Sequence, residues 1–313
     1  MSGRILIEDR LSVGGDLAAE VREGLTRPLR ELPPKLFYDE RGSELFDRIT
    51  ELPEYYPTRC EREILECEAH AIVRGVDELV ELGSGSATKT RVLLATGAIA
   101  RYVPVDVSPT VVERCAEELC AIHPELEVRG LIGDFHRDLG HLPAGGRRLF
   151  AFLGGTIGNL HPDERARFLA MLRELMGPGD RLLLGTDLVK DVAVLEAAYD
   201  DSQGVTAEFN RNCLRVLNRE LDADFEPERF EHVAFFDPVA SWIEMRLRSL
   251  GVQSVRIEAA DLDLELADGE PIRTEISTKF TPERVERELC AAGLALEELW
   301  TDSGGRFALS LSS

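Results

Sequence analysis

The sequence predicts an α/β protein: a Rossmann-like, mostly parallel sheet with helices on both faces, and a second α+β domain partly inserted into it. Three observations carry that expectation. The middle of the chain alternates short apolar strands with helical stretches, the pattern of a parallel sheet covered on both sides. The first of those strands runs into a glycine loop, "VELGSGSATKT". The chain ends in two strand-like runs joined by Ser-Gly-Gly, "LALEELWTDSGGRFALSLSS", which read as an antiparallel hairpin closing the sheet.

The elements follow in order. "DELVELG" is a short strand, and "TKTRVLLATG" a helix. "RYVPVDVS" is the next strand. "PTVVERCAEELCAI" is a helix with Val111, Val112, Cys115, Leu119 and Cys120 on one stripe. "LEVRGLIGDF" is a strand, and "RRLFAFLGGTIGN" is an apolar strand running into a loop. "DERARFLAMLRELM" places Phe168, Leu169, Leu172 and Met176 at helical spacing, and "GPGDRLLLGTD" is a turn followed by a buried strand. Residues 1–55 hold no clear βαβ unit. Residues 189–280 hold one long helical stretch, "TAEFNRNCLRVLNREL", then the strand-like runs "SVRIEAADLDLEL" and "IRTEISTKF". The expected division is therefore 56–188 and 281–313 for the sheet domain, and 1–55 and 189–280 for the second domain.

A net charge of −22 argues against nucleic acid and anionic membranes as partners. No apolar run approaches the roughly 20 residues needed to span a bilayer. The N-terminal "MSGRILIEDR" offers no signal region, so a cytoplasmic monomer is expected. Cys60, Cys67, Cys115, Cys120, Cys213 and Cys290 form no Cys-x-x-Cys pair, and no histidine cluster completes a metal set. They read as idle thiols of a reducing compartment, and no metal is expected.

The glycine loop admits three readings. A dinucleotide loop needs a third glycine where Thr88 stands. A phosphate loop needs a glycine before Lys89 and again meets Thr88. S-adenosylmethionine carries no phosphate and needs only close backbone approach, which Gly83 and Gly85 permit. It also carries a sulfonium and a ribose diol, both suited to acidic partners. Asp106 ends the next strand, where a carboxylate can accept from ribose hydroxyls. Asp134 follows the third strand and is suited to the adenine amine, with Phe135 packing on the ring. Taken alone, Asp106 also reads as a helix cap before "SPTVV". The set together points to a class I S-adenosylmethionine methyltransferase sheet.

The flanking segments are more specific. "LPPKLFYDERGSELFDRITELPEYYPTR", "GGTIGNL", "GTDLVKD", "AYDDSQGVTAEFNRNCLRVLNRELDADF" and "RTEISTKF" resemble, in order and over nearly the whole chain, the L-histidine Nα-methyltransferases of ergothioneine biosynthesis. The resemblance implies three successive methyl transfers to the α-amino group of L-histidine, giving trimethylhistidine (hercynine). It implies that Tyr55, Asn159 and Tyr199 hold the α-carboxylate and amino group, with Gly154 lining the amino side. It places Tyr38 near the reacting nitrogen as the catalytic candidate. It gives Glu275 and Ser277 to the imidazole with Met245 beside it, and Gly83, Lys89, Asp106, Asp134 and Phe135 to the methyl donor.

The residues' own chemistry can be set beside this. Glu275 and Ser277 are two apart on a strand and share a face, so the carboxylate can accept one ring N–H while the hydroxyl meets the other nitrogen. A phenyl ring would leave the carboxylate unpaired, at about 1–3 kcal/mol. The same pair also reads as a solvated strand face, and Tyr55 and Tyr199 as half-buried tyrosines at a domain seam. Asn159, in an apolar loop, must find partners and is suited to a zwitterion. Methyl transfer needs a neutral amine aligned on the sulfonium methyl. No strong base stands out, so the amine is expected to lose its proton to solvent or through water near Tyr38. Competing readings are an Nα-methyltransferase of another amino acid such as tryptophan, a nicotinamide dehydrogenase, and a non-catalytic S-adenosylmethionine-binding regulator.

Overall fold

The computed structural model describes residues 5–10, 17–85, 87–142 and 145–313. The chain divides into two compact units: Met1–Val13 with Arg59–Leu188 and Phe280–Ser313, and Gly14–Thr58 with Val189–Lys279.

In chain order, β1 (Ile5–Asp9) opens the first unit, and α1 (Leu17–Leu25), β2 (Arg30–Glu31) and α2 (Glu40–Glu51) follow in the second. Then come α3 (Pro57–Ile72), β3 (Glu78–Leu82), α4 (Thr90–Leu94), β4 (Arg101–Asp106), α5 (Pro109–Ile122), β5 (Glu127–Ile132), β6 (Arg148–Phe152), α6 (Pro162–Leu175) and β7 (Arg181–Asp187). The second unit resumes with α7 (Val192–Tyr199), α8 (Val205–Glu220), β8 (Phe230–Asp237), β9 (Trp242–Ser249), β10 (Gln253–Ile257), β11 (Leu262–Leu266) and β12 (Pro271–Thr278). The first unit closes with α9 (Pro282–Ala291), β13 (Leu296–Thr301) and β14 (Phe307–Ser312).

The first unit is built on one sheet of order β1-β5-β4-β3-β6-β7-β14-β13. Its strands run parallel from β1 to β7, and β14 and β13 return antiparallel as the C-terminal hairpin. Every residue of β3 and of β14 is buried, polar ones included, as expected of strands covered on both faces. α5 lays Val112, Cys115, Ala116 and Leu119 inward, and Pro109 at its first position suits a missing donor. α6 buries Phe168, Leu169 and Leu172 in a core shared with Val80, Val103, Phe150, Phe152, Val285 and Leu289. From β3 the chain winds outward through β4 and β5, then crosses to β6 on the other side. The reversal between β3 and β6 makes the carboxyl ends of these strands the switch point where such sheets take ligands.

One boundary differs from the sequence reading. Residues 1–55 were expected in the second domain, yet β1 pairs in parallel with β5, Ile5 opposite Val128 through Asp9 opposite Ile132. A lone five-residue edge strand with no crossover helix of its own carries no βαβ signal.

In the second unit a four-stranded sheet of order β2-β12-β9-β8 lies with α8, and β10 and β11 form a separate hairpin. α8 buries Phe209, Cys213, Leu214 and Leu217 at helical spacing. Asp39 caps α2 by accepting the Gly42 N–H at 2.8 Å, and also accepts the Asn212 side-chain amide at 2.7 Å. That carboxylate ties α2 to α8 and fixes the segment carrying Tyr38. Among the described residues no helix is long and apolar enough to cross a membrane.

Candidate functional site

The first unit carries Gly83, Lys89, Asp106, Asp134, Phe135, Gly154 and Asn159. Gly83 (φ +72°) and Gly85 (φ +48°) both lie in the left-handed region, which favours glycine. Ala87 sits there too, at φ +50°, and a side chain in that conformation costs roughly 1–2 kcal/mol. The loop is thus held strained at the end of β3. Asp106 ties it to β4: one carboxylate oxygen accepts the Gly85 N–H at 3.1 Å and the other the Ser108 N–H at 3.0 Å. Burial holds the Asp106 carboxyl above the usual carboxylate range, against the pull of these backbone donors. Asp134 accepts the His136 N–H at 2.9 Å and pairs with Arg137 at 3.3 Å, so it shapes its own turn. Phe135 stands edge-on to Phe152 (5.3 Å) and Phe168 (5.8 Å), and a Cβ on Gly83 would come within 3.8 Å of its ring.

Behind these loops lies a buried polar node that pattern reading missed. Glu61 on α3 is fully buried. Its two oxygens accept the Gly154 N–H at 2.8 and 3.0 Å, and it forms an ion pair with Lys89. Gly154 lies at φ +78°, which favours glycine, and a Cβ there would stand 3.2 Å from Lys89 Nζ, so the lysine would have to shift slightly. Glu81, the last but one residue of β3, is also buried and accepts the Tyr102 hydroxyl. Burial pushes its carboxyl up to about 7. Asn159 ends a 3₁₀ turn, Thr156–Asn159, half-buried beside the buried Ile157 and Gly158.

The second unit carries Tyr38, Tyr55, Tyr199, Met245, Glu275 and Ser277. A chain of rings brings four of its residues together. Tyr38 meets Phe46 at 6.0 Å, Phe46 meets Tyr55 at 6.1 Å, and Tyr55 meets Tyr199 at 6.5 Å, all edge-on. Tyr38 is 45% exposed, whereas its neighbour Phe37 is buried and stacks on Phe209 at 4.6 Å. The Tyr199 hydroxyl lies 2.7 Å from Ser277 Oγ. Glu275 and Ser277 share one face of β12, and Met245 lies directly across from Glu275 on β9. All three are buried.

Tyr199 is the last residue of α7, and a histidine fixes it there. Asn210 donates its amide to His232 Nδ1 at 2.8 Å, which leaves Nε2–H to donate to the Tyr199 carbonyl at 2.8 Å. Burial lowers the His232 pKa, in keeping with a neutral ring in that role. Lys279, which the sequence reading also passed over, is fully buried and donates to both Tyr199 and Ser277. Its place was legible: the row Glu275, Ser277 continues by two to 279.

The arrangement can therefore do two separate things. The first unit offers glycine backbone and an acidic side chain at a strand end, which fits a non-phosphorylated adenosyl group. The second offers a carboxylate, hydroxyls and aromatic faces, which fit a small amino acid with a polar ring.

Comparison with known proteins bears on both. A family model described as histidine-specific methyltransferase, SAM-dependent, matches residues 17–313. A protein named Histidine N-alpha-methyltransferase from Mycobacterium tuberculosis is 51% identical over 303 residues, 95% of this chain and 94% of that one. Ergothioneine biosynthesis protein 1 of Neurospora crassa is 30% identical over 307 residues, 90% of this chain and 33% of that protein. Among solved structures, an S-adenosylmethionine-dependent methyltransferase from Clostridium acetobutylicum superposes with a TM-score of 0.50 at 10% identity, over 86% of this chain and 98% of that one. That last likeness is one of fold.

Proposed function

Because the chain belongs to the S-adenosylmethionine-dependent, histidine-specific methyltransferases, we propose that it converts L-histidine by three Nα-methylations to trimethylhistidine, as a step of ergothioneine formation. The observation that carries the substrate reading is the pairing of Glu275 with Ser277 on one buried strand face, opposite Met245.

In this reading the donor residues all belong to the first unit, whereas the acceptor residues belong to the second apart from Gly154 and Asn159. Gly83 and Gly85 allow the donor close to the backbone, Asp106 takes its ribose, and Asp134 with Phe135 takes the adenine. Lys89 is the basic group of this set, matched to the donor's carboxylate. The donor supplies the sulfonium methyl; what this chain supplies is alignment. Tyr55, Tyr199 and Asn159 hold the amino acid's charged end. Tyr38, half in solvent, orients the amine rather than taking its proton, which leaves through water. Gly154 keeps the space beside the amine small-sided, so that the nitrogen can carry added methyl groups.

The test is one incubation of the protein with S-adenosylmethionine and a panel of free amino acids, read by mass spectrometry. Histidine alone should gain mass, in three steps of one methyl. Glu275→Ala should weaken histidine binding about tenfold or more, from the lost charged hydrogen bond. Methylation of tryptophan in preference to histidine, or unchanged histidine affinity in Glu275→Ala, overturns the reading.

A further inference from the structure

We infer that Glu61 is a positioning residue for methyl transfer: its carboxylate ties the lysine that meets the donor to the glycine turn that lines the acceptor's amine, and so sets how the two reactants are aligned. The inference rests on the proposed function above and goes beyond it. That reading gives Lys89 to the donor and Gly154 to the amine side, and says nothing of what holds the two in register.

Both groups converge on one side chain. Glu61 belongs to α3 and is fully buried. Its oxygens accept the Gly154 N–H at 2.8 and 3.0 Å, and one of them pairs with Lys89 Nζ. Lys89 ends the glycine loop after β3, next to Thr90, the first residue of α4. Gly154 lies just past β6 and opens the turn that runs through Gly155 to Asn159. That turn is locked from within. The Gly158 N–H donates to the Gly155 carbonyl at 2.9 Å, and the Thr156 hydroxyl donates to the Leu153 carbonyl at 2.9 Å. A shift of Gly154 therefore carries Asn159 with it. Glu61 thus spans a donor loop after β3 and an acceptor turn after β6, the two strands at which the sheet order reverses.

The sheet keeps room for this carboxylate. Gly185 lies inside β7, and a Cβ there would overlap Glu61 Oε1. Its backbone is that of an ordinary strand, so what the glycine supplies is space. Glu81, a second buried carboxyl whose charge acts on Lys89, is engaged by the Tyr102 hydroxyl. The Lys89 side chain is 22% exposed, so it is anchored at Glu61 and still open to a ligand. An ammonium carries three N–H groups, and a bond to Glu61 leaves others for the donor's carboxylate.

Neither contact of Glu61 touches a reacting atom. What they fix is where Lys89 and the Gly154 turn sit relative to one another. Methyl transfer depends on holding nitrogen and methyl at near-attack distance, and a misplacement of about 1 Å costs about a hundredfold in rate. Loss of the Glu61 charge should therefore spare the binding of each reactant and slow their reaction.

The experiment measures histidine methylation by mass spectrometry and S-adenosylhomocysteine binding by calorimetry, both on the whole protein. Glu61→Gln keeps an acceptor for the Gly154 N–H and loses the ion pair. Its kcat should fall about ten- to a hundredfold, with both KM values within about threefold of wild type. It should still bind one S-adenosylhomocysteine per chain, which a partly unfolded preparation would not. Gly185→Ala crowds the carboxylate and leaves its charge. It should show the same split, so the inference stays testable if the glutamine variant fails to fold. Adding Lys89→Met to Glu61→Gln should lower kcat by less than about threefold further, because one residue acts through the other. A Glu61→Gln variant with wild-type kcat overturns the proposal. So does a fall in kcat matched by a fall in binding stoichiometry, which would make Glu61 a residue of the fold alone. A Lys89→Met effect on kcat that is undiminished beside Glu61→Gln overturns it as well. No methylation of histidine by the wild type overturns the functional reading itself, and this inference with it.

Discussion

Each unit has a fully buried ionisable side chain among its candidate residues, and the two are of opposite kind. In the first unit it is the carboxylate of Glu61, gathering the Gly154 N–H and Lys89. In the second it is the ammonium of Lys279, gathering two hydroxyls. The carboxylate organises backbone and a basic side chain, groups that hold a ligand by its generic parts. The ammonium organises the hydroxyls of Tyr199 and Ser277. Under the proposed function, donor recognition falls to the sheet's loops, whereas the choice of ring falls to side chains on β12.

The most damaging way to break the first half is Glu61→Ala. It leaves Lys89 beside an empty site and the Gly154 N–H without its acceptor. Removing one partner of a buried pair costs about 3–5 kcal/mol, and the lower end applies because Lys89 keeps some contact with solvent. Urea unfolding should show a loss of about 3 kcal/mol. Glu61→Gln, which can still accept the Gly154 N–H, should lose less than half of that. Equal losses in both variants would mean that the charge of Glu61 has no part in holding the loops.

A smaller effect sharpens the division of labour. Asp106→Asn keeps the side chain's shape and one backbone hydrogen bond while removing the charge. Affinity for S-adenosylhomocysteine should fall about ten- to a hundredfold, the worth of a charge-assisted bond. Histidine affinity, measured in the same calorimeter, should not move. A matching fall for histidine would show that the donor and acceptor residues cannot be treated as separate sets.

This contrast also explains what the sequence made legible. The Gly83 loop, Asp106 and Asp134 stand at strand ends, and strand periodicity alone points to them. Tyr38, Tyr55 and Tyr199 are set by ring contacts between α2, α7 and their flanking turns, which no short pattern encodes. They came only from resemblance over long segments. Glu61 is one of four glutamates in "CEREILECE", and nothing in the helix marks which one turns inward. Glu81 sits in a strand whose every residue is buried, so alternation gives no sign of its role. Lys279 was within reach, because its row was already identified. It was missed because a lysine after a strand ordinarily faces water.

The smallest expected effect tests whether the two units respond alike where their chemistry is alike. Asp302 in the C-terminal hairpin accepts the N–H groups of Gly304 (3.0 Å), Arg306 (2.7 Å) and Phe307 (2.7 Å). Asp201 before α8 accepts those of Gln203 (3.0 Å), Val205 (3.0 Å) and Thr206 (2.7 Å). Burial works to raise both carboxyls, and the backbone donors outweigh it, so both lie below the usual carboxylate range. A carboxyl depressed on folding adds stability that is present above its unfolded pKa of about 3.9, and that is lost as pH falls through the lower folded value. Each Asp→Ala variant should therefore cost about 1 kcal/mol at neutral pH, as for a lost helix or turn cap. The difference from wild type should shrink below about pH 4, where the wild type loses the same charge. Amide exchange should show Asp302→Ala loosening the hairpin of the first unit and Asp201→Ala loosening the start of α8. A difference from wild type that stays constant, or grows, as pH falls would mean that the charge of these carboxylates is not what closes the two turns.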